Sequence, residues 1–104
     1  MGVPVILTPQ SQDDLAQIVR YIARDNRQRA RTFGYLLIDK ALSIGPMHER
    51  GRIVPELNDP SVREIVHGSY RIIYEIFRDP AVVYVLRFWH AARGTPQVAH
   101  RPSG

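Results

Sequence analysis

The stretch Tyr70–Phe77, YRIIYEIF, and the run Val82–Trp89 that follows it, VVYVLRFW, decide the fold. Both are rich in β-branched and aromatic residues, which suit the pleated surface of a sheet. A Gly-Ser pair at 68–69 precedes the first run, and Arg-Asp-Pro at 78–80 separates the two. With Arg63–His67 as an earlier strand, these segments predict a three-stranded antiparallel meander.

The part of the chain before residue 46 predicts a short strand and two helices. Val3–Leu7 is the strand candidate, and Thr8 followed by Pro9 is a typical helix start. Apolar residues then recur at helical spacing on one stripe of each helix. They are Leu15, Ile18, Val19 and Ile22 on the first, and Ala30, Phe33, Gly34, Leu37, Ile38, Ala41 and Leu42 on the second. Gly34 on the buried stripe predicts close packing of the two helices.

This order of elements predicts an α+β fold, in which an N-terminal strand and a helical hairpin pack on a C-terminal antiparallel β-meander. We expect one domain over residues 1–93 and a flexible tail over residues 94–104. Hydrophobic residues make up 44% of the sequence, which is typical of a globular protein. No apolar run approaches the roughly 20 residues that span a bilayer, and no secretory signal is evident. We therefore expect a cytoplasmic protein without a membrane partner.

The charge is more informative than the overall composition. Lys and Arg total 14 against 10 acidic residues, which gives a net charge of +4, and Lys40 is the only lysine. Arginine pairs as a planar fork with phosphate or carboxylate, so this bias suits a nucleic acid or an acidic protein partner. Four arginines recur at helical spacing around the hairpin turn. They could form a nucleic-acid-binding patch or simply a solvated helix face. They are Arg20, Arg24, Arg27 and Arg31.

Alternation along Tyr70–Phe77 assigns its side chains to the two faces of the sheet. One set, Tyr70, Ile72, Tyr74 and Ile76, is the better core face. Arg71 and Glu75 belong to the other set, so we expect them on a partly open face. The second run also carries an arginine in its interior, Arg87, whose face depends on the register.

Three residues have the chemical types that metal-free RNA cleavage needs. Glu56 and His90 could serve as base and acid, and Arg71 could stabilise charge on the phosphate. Three further arginines are candidate nucleic-acid contacts, namely Arg63, Arg87 and Arg93. A purely structural alternative is an ion pair of Arg71 with Glu75 and a capping role for His90. No cysteine is present and the histidines show no ligand spacing, so we expect no metal and no cofactor.

Three stretches of the sequence resemble the RelE/ParE family of toxins from bacterial type II toxin–antitoxin modules. They are TPQSQDDLAQIVRYIARDNRQRARTF, GRIVPELNDPSVREIVHGSYRIIYEI and VLRFWHAAR, in the order that the family has them. The resemblance covers roughly residues 5–93. It implies a small basic toxin that an acidic antitoxin neutralises, with operator DNA bound only through the antitoxin.

The resemblance implies two possible mechanisms. RelE-like members cut mRNA on the ribosome without a metal, whereas ParE-like members poison DNA gyrase. Arg71 matches a phosphate-binding arginine of the ribonuclease branch, and Glu56 and His90 are similar to the acid/base pair of one subgroup. That branch usually has a catalytic tyrosine near the carboxyl terminus, and no tyrosine follows Tyr84 here. Our sequence-based hypothesis is a ribosome-dependent mRNA endonuclease, with a non-catalytic gyrase inhibitor as the alternative.

Overall fold

Two helices and a five-stranded sheet make up the protein, in a computed structural model that describes residues 2–98. The elements are β1 (Val5–Leu7), α1 (Pro9–Ala23), α2 (Arg27–Leu42), β2 (Arg52–Ile53), β3 (Val62–His67), β4 (Tyr70–Arg78) and β5 (Ala81–His90). Short 3₁₀ turns occupy Gly45–Met47 and Ala91–Arg93. No helix in residues 2–98 combines the length and apolarity needed to cross a membrane.

The strands lie in the order β1-β5-β4-β3-β2, and the predicted meander of β3, β4 and β5 is confirmed. β1 runs parallel to β5, so the first and last strands of the chain are neighbours at one edge. The sequence did not predict β2, a two-residue strand that pairs antiparallel with β3 at the other edge.

The first helix of the hairpin begins where the sequence predicted. The Thr8 hydroxyl accepts a backbone N–H three residues further on at 3.2 Å, and Pro9 is the first helical residue. Three residues separate the helices, and Asn26 caps the second one. A Cβ placed on Gly34 would lie 2.9 Å from Cγ2 of Val19, so the two helices pack as closely as predicted.

The main core lies between the hairpin and the sheet, and it uses the predicted face of β4. Its buried residues are Leu37, Ala41, Ile44, Ile72, Tyr74, Ile76, Val83, Val85 and Phe88. Tyr70 is partly buried against the same cluster. Burial of such side chains is the main favourable term in folding.

A second core covers the other face of the sheet, so the prediction of a partly open face was wrong. Val54, Val62, Ile73, Leu86 and Trp89 form this second core. The β2–β3 loop and the segment after β5 pack against this core. They contribute two partly buried residues, Leu57 and Val98. The two charged residues that were expected on a partly open face, Arg71 and Glu75, are buried.

A β-bulge lets β5 serve both cores. Ile73 pairs with Arg87 but the next residue, Tyr74, pairs with Val85, so Leu86 is the extra residue. Val85 therefore faces the helices, whereas Leu86 packs in the second core.

The segment 94–98 is held against the second core. The Trp89 indole N–H donates to the carbonyl of Gly94 at 3.1 Å, and Arg87 Nη1 donates to that of Gln97 at 2.8 Å. Pro96 is buried. Four residues of the predicted flexible tail thus have defined surroundings, namely Gly94, Pro96, Gln97 and Val98. Residues 99–104 lie outside the described part of the chain.

Candidate functional site

Arg71 and Glu56, two of the three residues predicted as catalytic, are in direct contact. Arg71 lies in β4 and points into the second-core side of the sheet, and Glu56 reaches it from the β2–β3 loop. Arg71 Nη1 donates to Glu56 Oε2 and Nη2 donates to Oε1, both at 2.8 Å. Arginine also uses this two-point fork to bind phosphate. The Arg71 side chain is 10% exposed and that of Glu56 is 31% exposed.

A second carboxylate, which the sequence analysis did not single out, completes the surroundings of Arg71. Glu64 on β3 has a fully buried side chain and accepts a hydrogen bond from Arg71 Nε at 2.5 Å. Its other oxygen accepts from Arg52 Nε of β2, also at 2.5 Å. Positive and negative groups therefore alternate along a chain of Arg52, Glu64, Arg71 and Glu56, which we call the ion chain.

The ion chain changes the acidity of its members. The hydrogen bonds from Arg71, helped by a backbone hydrogen bond and by the nearby positive charges, lower the pKa of Glu56 to about 2. The pKa of Arg71 is raised, chiefly by the hydrogen bond to Glu56 and then by that to Glu64. Glu56 is thus ionised and paired at neutral pH, and a carboxylate with so low a pKa is a weak base.

His90, the third predicted catalytic residue, lies on the other face of the sheet. In the pairing of β4 with β5, Arg71 is opposite Trp89, and Tyr70 is opposite His90. Because neighbouring residues of a strand point to opposite faces, the His90 ring lies on the helix side with Tyr70, at 5.0 Å between ring centroids. His90 Nδ1 accepts the Ala92 N–H at 3.0 Å, which is the capping role of the structural alternative.

The three arginines predicted as nucleic-acid contacts have different surroundings. Arg63 donates to three backbone carbonyls in the loops beside it, those of Glu49, Gly51 and Pro60. Arg87 forms a two-point pair with Asp14 and lies over the Trp89 ring at 4.9 Å from its centroid. Arg93 lies over the same ring at 3.9 Å and remains exposed. Arg63 and Arg87 hold the fold together, and Arg93 keeps its guanidinium at the surface.

Asp14 is another buried acidic residue that the sequence analysis did not single out. It lies on α1, is 5% exposed, and accepts both Arg87 Nε and Nη2 at 2.8 Å. It also accepts the backbone N–H of Phe88 at 3.1 Å, at the edge of β5 beyond the end of β1. The sequence around it gave no sign of this pairing, because the partner arginine is 73 residues away in sequence.

Two adjoining clefts lie on the helix side of the molecule. The larger, of about 690 Å³, is lined by Gln17, Arg20, Tyr21, Ala23, Arg24 and Arg27 at the tip of the hairpin. The smaller, of about 230 Å³, lies between α1 and the ends of β4 and β5, where His90 and Arg93 line it. Residues 2–98 contain no cluster of His, Cys, Asp and Glu that could hold a metal ion.

Residues 5–94 match the family described as "ParE toxin of type II toxin-antitoxin system, parDE". The chain belongs to the ParE toxin family. The match runs from β1 to the end of the 3₁₀ turn after β5, so it includes both helices, the whole sheet and the ion chain. The resemblance to RelE/ParE toxins is confirmed, and the protein is a toxin of a type II toxin–antitoxin system. No curated protein matched the chain.

Two solved structures share the fold of this ParE-family toxin. A chain of the toxin–antitoxin complex RelBE2 from Mycobacterium tuberculosis has 18% identity and a TM-score of 0.64, with 86% of this chain and 92% of that chain covered. A chain of the chromosomal ParDE system from P. aeruginosa has 14% identity and a TM-score of 0.68, with 85% and 95% covered. At these identities the similarity concerns the fold, and both neighbours come from toxin–antitoxin systems.

Proposed function

We propose that this toxin arrests bacterial growth by binding a protein target, DNA gyrase, and that it does so without catalytic residues. The observation that carries the proposal is the pairing of Arg71. Its Nε and both Nη atoms donate to carboxylates, and Glu56 occupies the fork that a phosphate would need. An RNA phosphate could reach this guanidinium only by displacing a carboxylate from a largely buried site.

Two further observations support a non-catalytic mechanism. A general base works best with a pKa near the operating pH, and that of Glu56 is about 2. An acid and a base for one RNA phosphate must also converge on it, whereas Glu56 and His90 lie on opposite faces of the sheet. RNA cleavage by Glu56, Arg71 and His90 is the competing proposal, and it requires a rearrangement of the ion chain.

We also propose that an acidic antitoxin neutralises this toxin in the cytoplasm and supplies the contacts to operator DNA. A net charge of +4 and a surface rich in arginine favour an acidic partner. Both structural neighbours come from toxin–antitoxin systems, which supports an antitoxin as the partner of this chain.

The deciding experiment is induction of the toxin alone in bacteria, with pulse-labelled protein synthesis and DNA synthesis followed in parallel. The wild type should stop DNA synthesis first, with filamentation and gyrase-linked breaks, while translation continues. Glu56→Gln and His90→Asn should keep their toxicity, because neither residue takes part in chemistry. Asn is chosen at position 90 because its side-chain oxygen can accept the Ala92 N–H that His90 Nδ1 accepts.

The matched control is Glu49→Gln, which removes the same charge from an exposed pair with Arg78. The purified toxin should also inhibit DNA supercoiling by gyrase to the same extent in all four forms. Immediate loss of translation with cleaved mRNA, and a loss of toxicity of at least a hundredfold in Glu56→Gln but not in Glu49→Gln, would refute the proposal in favour of RNA cleavage.

A further inference from the structure

The residues from which the target was inferred, Arg71, Glu56 and His90, lie outside the cleft at the hairpin tip. We propose that this cleft, which we call the hairpin groove, is a binding site for single-stranded nucleic acid. It is lined by residues of α1, by Arg24 at the end of that helix and by the first residue of α2, and the full set is Gln17, Arg20, Tyr21, Ala23, Arg24 and Arg27. The inference does not depend on which target the toxin inhibits.

The charge of the hairpin groove is positive and uncompensated. Arg20, Arg24 and Arg27 are exposed, and none of them forms an ion pair within residues 2–98. They differ in this from Arg63, Arg71 and Arg87, whose guanidinium groups are held by carbonyls or carboxylates. Free guanidinium forks on a rigid helix pair readily with phosphate oxygens.

An exposed aromatic ring lies among these arginines. Tyr21 is 70% exposed, and the Arg24 guanidinium lies 6.0 Å from its ring centroid. An aromatic ring flanked by cations is the combination with which proteins bind single strands, because the cations pair with the backbone and a base stacks on the ring. A duplex keeps its bases stacked inside, so it could use the arginines but not the ring.

The groove continues along α1 toward the end of the sheet. Gln17, Tyr21 and Arg24 share one face of the helix, at spacings of four and three residues. Gln17 and Tyr21 also line the smaller cleft, which leads to Arg93. The acidic residue in that cleft, Asp14, is already paired with Arg87. A strand of a few nucleotides could thus run from the hairpin tip to the exposed guanidinium of Arg93.

An acidic peptide is the other polyanion that could occupy such a groove. It would satisfy the three arginines, but a glutamate side chain has no flat ring to stack on Tyr21, whereas every base has one. The stacking surface of Tyr21 therefore favours nucleic acid, and the two ligands predict different effects of removing that ring.

The test measures binding of fluorescein-labelled oligonucleotides of mixed sequence to the purified full chain by fluorescence anisotropy at several salt concentrations. Single-stranded DNA and single-stranded RNA form two arms, and a duplex and a glutamate-rich peptide of equal charge form two more. Arg24→Ala should weaken single-strand binding and make the salt dependence shallower by about 0.7 in the slope of log K against log salt. Tyr21→Ala should weaken it about tenfold without changing that slope, because stacking releases no counterions.

The matched control is Arg50→Ala, since Arg50 is also exposed and lies outside both clefts. Tighter binding of either single strand than of the duplex, with larger losses in Arg24→Ala and Tyr21→Ala than in Arg50→Ala, supports the site, and the two arms identify DNA or RNA. Equal losses in Arg24→Ala and Arg50→Ala, no effect of Tyr21→Ala, or equally tight binding of the peptide would overturn it. Growth arrest is scored separately, so failure of this inference leaves the proposed target untouched.

Discussion

Arg71 and Glu56 face each other as a two-point fork, with both Nη–Oε distances at 2.8 Å. A guanidinium this buried must be paired, because an isolated charge costs several kcal/mol in a site with little water. Glu64 takes the remaining Nε and is itself shared with Arg52. The ion chain thus connects the β2–β3 loop and the edge strand β2 to the middle of the sheet. This structural role explains why all four charged residues are present.

We predict that Glu64→Gln is strongly destabilising. The side chain is fully buried and is shared by two arginines, so the neutral amide would leave the positive charge of Arg71 poorly balanced and would turn an amide donor toward a guanidinium. Breaking a buried pair by changing one partner typically costs about 3–5 kcal/mol in the free energy of unfolding. Urea denaturation followed by the fluorescence of Trp89 measures the change.

The control for that experiment is Glu49→Gln. Both side chains of the Glu49–Arg78 pair are more than half exposed, so its loss should change stability by less than about 1 kcal/mol. If the two variants lost similar amounts of stability, the ion chain would not have the structural importance that its burial suggests.

Glu56 should make stability depend on pH in the acid range. Its pKa is about 2 in the folded protein and about 4.3 in an unfolded chain, so between these values the unfolded state binds more protons. The contribution is therefore complete above about pH 5 and is lost as the pH falls toward 2. Urea denaturation from pH 2 to 6 should show a shallower pH dependence in Glu56→Gln than in the wild type or in Glu49→Gln. If the free energy of unfolding of Glu56→Gln and of the wild type changed in parallel with pH, this prediction would be wrong.

The sequence was sufficient to predict the elements whose side chains follow a regular period. The alternation of Tyr70 to Ile76 placed its residues in or against the main core, and the stripe of α2 placed Leu37 and Ala41 there. Leu42, at the end of that stripe, is 50% exposed instead. Thr8 predicted a helix cap and Gly34 predicted a close contact between the helices, and both predictions rest on the local sequence alone. Turn residues likewise set the ends of β4 and β5 to within one residue.

The second face of the sheet could not be predicted from these signals. This face is covered by two irregular segments, the β2–β3 loop and residues 94–98. Irregular segments have no hydrophobic periodicity from which burial could be predicted. The bulge at Leu86 reverses the alternation of β5, so the faces of Arg87 and His90 could not be read from spacing. The partners of Glu64 and Asp14 were hidden for a similar reason, since ion pairs between distant segments leave no local pattern.

Asp14→Asn should loosen the contact between α1 and the edge of β5. Asp14 accepts two hydrogen bonds from Arg87 and one from the backbone of Phe88, and the amide can keep only part of these. We expect a loss of about 2–4 kcal/mol in the free energy of unfolding. Because Arg87 lies over Trp89, the indole emission of the folded variant should shift as well. Asp13→Asn, one position away and exposed, should change neither property, and equal effects of the two variants would disprove the role of Asp14.

Gly34→Ala tests whether the two helices approach as closely as the structure indicates. Alanine favours helix by about 1 kcal/mol over glycine, but its Cβ would lie 2.9 Å from Cγ2 of Val19, a branched side chain with little freedom to move. We expect Gly34→Ala alone to be neutral or destabilising by about 1 kcal/mol, because the clash offsets the gain in propensity. In a Val19→Ala background the clash is absent, so the same change should stabilise by up to about 1 kcal/mol. Thermal or urea unfolding of the four proteins in this double-mutant cycle measures the coupling, and additive effects would show that α1 and α2 are further apart at this position.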